Sequence, residues 1–194
     1  VKRYRELLGF DVVDDGVIDW QSIGCEEELE DSFEKNYKPI SLGQMNLKAL
    51  AGKVPHRIEG TLNKGAYQKS AGQAQASEII AKAKELGVSY TAYITGVLAY
   101  SIEKTYRNKK PVAIMVPVNL RSIYPSKTMR NFVTFIRVII FPSSCKSVKD
   151  CALEAQRQIK IETAKDKLDA FISTTVRAQK NWVLKIVPLF LKTA

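Results

Sequence analysis

His56 is the only histidine in the 194-residue chain, so a catalytic triad, a histidine general base or a histidine-built metal site has one candidate at most. The residues from His56 to Leu62 alternate polar and apolar types as a half-buried strand does, which makes His56 a strand-edge residue rather than a base. Cys25, Cys145 and Cys151 are odd in number and contain no CxxC pair. Neither a disulfide framework nor a zinc site is expected from them, and the setting they suggest is a reducing, cytoplasmic one. No catalytic residue and no metal ligand is assigned. The remaining chemistry-bearing residues gather at a strand end. In an extended Val112–Arg121, Met115, Pro117, Asn119 and Arg121 share one face, and Val116, Val118 and Leu120 share the other. A polar pair ending such a face is costly unless it reaches a partner or solvent. Asn119 and Arg121 are therefore expected either to face a cleft or to emerge into water, and Asn131 either to join them or to serve as a turn residue.

The elements that would position these residues are legible as patterns. Ile79, Ile80, Ala83 and Leu86 follow helical spacing, with Gly87 placed as the C-terminal cap. A second helix begins near Thr91 and carries Ile94, Val97, Leu98 and Ile102 on one face. Val112–Val118 is nearly all apolar, as in a strand buried on both faces. Phe132–Phe141 is another β-rich run, closed by Pro142. Ser147 and Asp150 form a capping-box signature for a helix to about Thr163. Helical segments follow near 168–179 and 182–191. The apolar stretch 182–191 is about half the length that a membrane span needs, so no membrane span is expected. Residues 11–53, with an acidic cluster at Glu26–Asp31 and then Pro39, Gly43 and Gly52, read as a connector.

The net charge of +10 is uneven: residues 1–60 hold 8 Lys/Arg against 12 Asp/Glu, and residues 61–194 hold 22 against 8. Such asymmetry suits an anionic partner or a set of solvated helix faces. A nucleic-acid-binding module is one reading of it. Phe132, Phe135 and Phe141 fall in an apolar run, however, rather than between basic residues as base-stacking aromatics do, so no nucleic acid is expected.

Val116-Pro117-Val118-Asn119-Leu120-Arg121 followed by Pro125-Ser126-Lys127-Thr128-Met129-Arg130-Asn131-Phe132 is the most distinctive stretch. It resembles the C-terminal half of the CoA-dependent acyltransferase superfamily, which includes chloramphenicol acetyltransferase, peptide-synthetase condensation domains and alcohol acetyltransferases. The bacterial alcohol acetyltransferases look most similar. The resemblance covers roughly residues 54–192. Arg130 stands where condensation domains usually have Gly, which favours the acyltransferase branch over peptide synthesis.

The resemblance implies an α/β fold, an α+β two-layer sandwich in which helices pack on a mixed sheet. Residues 1–53 would be a connector from an upstream lobe, and 54–194 a C-terminal lobe like that of chloramphenicol acetyltransferase. It also implies acyl-CoA as donor substrate, with no bound cofactor, and a small alcohol or amine as acceptor. The family's HHxxxDG signature is absent here, so the chain by itself is expected to be inactive and to pair with the N-terminal lobe that carries the signature. Asn119, Arg121 and Asn131 would then face the interlobe cleft. A lobe of this kind exposes apolar surface when alone and is expected to self-associate, with 132–141 as an exchangeable edge. A non-catalytic interaction module is the alternative.

Overall fold

The computed structural model describes residues 2–11, 25–39, 55, 56, 58, 60, 65, 71–106 and 110–180. Short helices α1 (Lys2–Leu7) and α2 (Ser32–Lys35) precede a helical pair, α3 (Ala76–Glu85) and α4 (Tyr90–Tyr106). Strand β1 (Val112–Asn119) follows, then β2 (Val133–Ile140), and the described chain closes with α5 (Val148–Glu162) and α6 (Lys165–Lys180). The expected strand from His56 and the expected helix at 182–191 lie wholly or largely outside the described residues.

The sequence signals for helix ends hold. Gly87 ends α3 at φ +68°, a left-handed conformation that costs glycine little. Ser147 accepts from the Asp150 amide at 3.2 Å and donates to its carboxylate at 2.8 Å, which fixes the start of α5.

The β1–β2 pair is antiparallel, with Val112 opposite Ile140 and Asn119 opposite Val133. A mixed sheet was expected, and among the described residues the sheet is this two-stranded ribbon. Its hydrogen-bonding parity can be worked out from one contact. The Gln158 side chain accepts from the Ile139 amide at 2.7 Å and donates to the Ile139 carbonyl at 2.6 Å. Both backbone groups of Ile139 thus point away from β1, so 113–139 is a non-hydrogen-bonded pair and every second pair shares that state. Pro117, opposite Phe135, falls in this set, and its missing N–H costs the ladder nothing.

The apolar content of β1 suggests burial on both faces, but the ribbon is covered on one. Val112, Val116, Ile136, Val138 and Ile140 are buried beneath α4 and α5, whereas Met115 and Phe135 on the opposite face are each 59% exposed. The expected face of α4 also needs correcting. Of its four residues, Ile102 packs against the core, but Ile94 and Leu98 are 38% and 46% exposed, and the fully buried face is Ala92, Thr95, Gly96 and Ala99. The reason is distance: α5 presents Cys151, Ala152 and Ala155, and a Cβ placed on Gly96 would lie 2.5 Å from the Ala152 nitrogen. At so close an approach small residues pack and long ones are turned outward.

The cysteines also depart from expectation. Cys145 and Cys151 are joined in a disulfide, with Cα atoms 4.9 Å apart, and Cys25 is free and exposed. The Ser147 cap starts α5 so that its first turn brings Cys151 back beside Cys145, a proximity that residue spacing alone does not reveal. With these two cysteines joined, the cysteine content no longer points to a reducing, cytoplasmic setting. No helix among the described residues is long and apolar enough to cross a membrane.

Candidate functional site

The polar residues singled out in the sequence lie where β1 ends, and the structure gives two of them definite work. Asn119 closes β1 and caps a single 3-10 turn, Leu120–Ser122, by accepting from the Arg121 amide at 3.2 Å. Strand parity stops there, so Arg121 does not continue the Met115–Asn119 face. Its guanidinium turns instead onto the returning loop. Nε and Nη2 donate to the Thr128 carbonyl at 3.2 and 2.8 Å, and Nη2 also donates to the Arg130 carbonyl. An arginine fork holding two carbonyls two residues apart fixes the path of the chain from Thr128 into β2. Asn131 is exposed at the end of this loop, immediately before the fully buried Phe132.

The acidic segment read as part of a connector packs against the same loop. Buried Thr128 donates to the Glu30 carbonyl at 2.6 Å and to the Glu28 carbonyl at 3.3 Å, and the Met129 amide donates to Glu28 at 2.8 Å. Ser32 and Ser126 share a hydrogen bond of 2.5 Å. Phe33 meets the Phe132 ring edge-on at 5.0 Å, and Phe33 and Tyr37 join a second core of Leu120, Tyr124, Phe132, Leu168, Ile172 and Val176. Residues 25–39 are thus built into the packing around the motif.

At the rim of this second core, Tyr124 donates to Asp169 at 2.5 Å, Lys38 contacts the same carboxylate at 2.6 Å, and the Lys165 ammonium lies 4.2 Å from the Tyr124 ring centroid. Burial, then the hydrogen bond and charge of Asp169, push the Tyr124 phenol well above its ordinary range. Burial pushes Asp169 up, but the hydrogen bonds from Lys38 and Tyr124, with the Lys38 and Lys165 charges, outweigh it and hold the carboxyl below its ordinary value. A phenol so disposed stays protonated and is a structural donor rather than a base. Sequence reasoning missed this cluster because Lys38 and Asp169 are 131 residues apart and no periodicity links them.

Between the acidic segment and the loop runs an open groove of about 500 Å³. Arg121, Lys35 and Lys127 line it with Glu27 and Glu30, which pair with Lys127 and Lys35 at 2.7 Å each. His56 is not part of this arrangement. Its amide donates to the Pro111 carbonyl at 2.8 Å, and its ring lies 5.0 Å from that of Tyr106. That is the opposite end of an eight-residue strand, on the order of 25 Å from Arg121. The described residues therefore form a hydrogen-bonded polar loop beside a groove, with no nucleophile and base brought together there. Comparison with protein-family models, with curated proteins and with solved structures finds no match to this chain.

Proposed function

We propose that this chain is the C-terminal part of an enzyme that transfers an acyl group from CoA, or from a carrier-bound pantetheine thioester, to an alcohol or amine. The observation that carries the reading is the pair of motifs Val116–Arg121 and Pro125–Phe132, which occur in the order known from CoA-dependent acyltransferases and are tied into one unit by Arg121. In this reading the chain supplies one wall of a channel between two lobes of an α+β fold. Its groove, with Arg121, Lys35 and Lys127, is the side that meets the phosphate-bearing donor, and Asn119 and Asn131 line the approach. The base that deprotonates the acceptor belongs to an HHxxxDG signature on the other lobe. The acceptor oxygen or nitrogen attacks the thioester carbonyl, its proton passes to that base, and the CoA thiol leaves.

The test has two arms. The chain alone, assayed for free CoA thiol with acetyl-CoA and a panel of alcohols and amines, should stay at background, because a positioned base contributes about 10²–10⁴-fold. A protein joining the chain to an upstream lobe with HHxxxDG should release thiol and form ester or amide. Turnover by the chain alone that is lost on His56→Ala would overturn the assignment of the base. Failure of the joined protein to use any acyl-CoA, together with no CoA binding by calorimetry, would leave the interaction-module reading in its place.

A further inference from the structure

The β1–β2 ribbon has two edges, and the structure treats them differently. On the β1 edge, the outward-pointing set contains Pro117, which has no N–H to offer and blunts the edge against a further strand. On the β2 edge, Gln158 occupies the outward amide and carbonyl of Ile139 as a neighbouring strand would. The same parity turns the backbone groups of Val133, Phe135 and Arg137 outward, and no described residue bonds them. A short run of strand-forming residues without proline or glycine is thus left ready to pair, and Gln158 marks where pairing must stop.

We propose that a second copy of this chain occupies that edge, its β2 running antiparallel to the first about a two-fold axis at Phe135. The register follows from parity. Phe135 stands opposite Phe135 of the partner copy in a hydrogen-bonded pair, and Val133 stands opposite Arg137 at each end. All three open residues are then used on both copies, and neither Gln158 plug is displaced. Pairing brings the two Phe135 rings, each 59% exposed in the single chain, side by side on one face, with Pro117 of each copy flanking them on the outer strand. Arg137 is the only ionisable side chain of β2. The two copies of it fall at opposite ends, about 14 Å apart along the strand, beyond the reach of strong repulsion at physiological salt. The result is a four-stranded antiparallel sheet across the two-fold. The proposal stands apart from the acyl-transfer reading, since edge pairing leaves the open sheet face and the groove uncovered.

The test is a charge-swap at the axis, read by sedimentation velocity across a dilution series. Wild-type chain should dimerise, and both Phe135→Lys and Phe135→Glu, which oppose like charges at the two-fold, should raise the dimer dissociation constant at least tenfold. An equimolar mixture of the two variants should recover the dimer. A monomeric wild type, a dimer that persists in either variant, or a mixture that stays monomeric while both variants give native circular dichroism would overturn the proposal. Should the variants fail to fold, amide exchange on wild type decides. The Val133, Phe135 and Arg137 amides should slow on concentration and the Met115 amide should not; equal rates at both concentrations would refute edge pairing, and slowing at Met115 instead would point to another partner surface.

Discussion

Replacing Gly96 with alanine sets two well-understood effects against each other. In an exposed helix interior the change is favourable by about 1 kcal/mol, because alanine is the better helix former and restricts the unfolded chain. At Gly96 the new Cβ would lie 2.5 Å from the Ala152 nitrogen, 2.6 Å from its Cα and 2.9 Å from its Cβ. Carbon contacts are comfortable near 3.5–4.0 Å, so α5 must withdraw by about 1 Å. That withdrawal loosens the seam of Ala92, Thr95 and Ala99 against Cys151, Ala152 and Ala155, all of it buried. Overpacking of this kind costs about 1–3 kcal/mol and occasionally more. Because the two closest contacts are to backbone, which cannot turn aside, the cost lies at the upper end of that range, and with the propensity gain subtracted Gly96→Ala should still destabilise the chain by about 2 kcal/mol, a fall in Tm of several degrees for a chain of this size. Gly96→Val should be worse. Thermal and urea unfolding followed by circular dichroism measure it, with the exposed Ser101→Ala as the control for propensity alone. Ala152→Gly should not rescue Gly96→Ala, because the two nearest atoms are backbone and remain. A Gly96→Ala protein as stable as wild type, or full rescue by Ala152→Gly, would refute the close helix approach.

Arg121→Lys should lower stability by about 1–3 kcal/mol and Arg121→Ala by at least as much, since a lysine cannot span the Thr128 and Arg130 carbonyls; unchanged urea midpoints in both would show a merely solvated side chain. The Tyr124–Asp169 pair predicts loss of stability at both ends of the pH scale. Asp169 has its folded pKa depressed, so its contribution is present above the ordinary carboxylate range and fades as pH falls through and below about 4. Tyr124 has its folded pKa raised, so its contribution is full below about 10 and declines as pH rises beyond that. Tyr124→Phe should flatten the alkaline arm of a Tm-against-pH profile, and Asp169→Asn the acid arm; an unaltered profile refutes the assignment. Thr134 is buried at 3% exposure with no hydrogen-bond partner for its hydroxyl among the described residues, so Thr134→Val should raise stability by about 1 kcal/mol, and a loss greater than that would refute an unpartnered hydroxyl.

What the sequence discloses here is set by how local the cause is. The Ser147 cap, the Gly87 stop and both strands of the ribbon follow from interactions within a few residues, and all appear where residue pattern places them. The face of α4 does not, because it is chosen by the partner helix. Leu and Ile in a helical stripe predict a core only if the neighbour stands off far enough to receive them, and Ala152 does not. The same limit governs the motif loop. Asn119 as a terminator of β1 is readable from its own neighbours, whereas the work of Arg121 depends on where Thr128 and Arg130 return. The docking of residues 25–39 depends on a serine and a threonine that, in sequence, look like ordinary loop residues.

The two edges of the ribbon show how such non-local facts acquire function. Pro117 in isolation argues weakly against a central strand, and Gln158 in isolation is a polar residue on an amphipathic helix. Brought to the same ribbon, Pro117 within β1 and Gln158 from α5, they become terminators at opposite edges, one lacking a donor and the other supplying a substitute for a strand. With the β1 edge blunted, the β2 edge presents three outward residues before Gln158, 133, 135 and 137, as a short, defined site for pairing. A long open edge would invite indiscriminate strand addition. An edge limited to three residues and bounded by a side-chain plug admits few registers, and a two-fold at Phe135 uses all of it. If Gln158 sets that limit, Gln158→Ala should free the Ile139 amide and carbonyl and lengthen the pairing edge. Association would then grow stronger and less discrete, with species beyond the dimer in sedimentation velocity. A variant that stays dimeric with an unchanged dissociation constant would show that the plug serves only to satisfy Ile139, and that the register is fixed by the Phe135 contact.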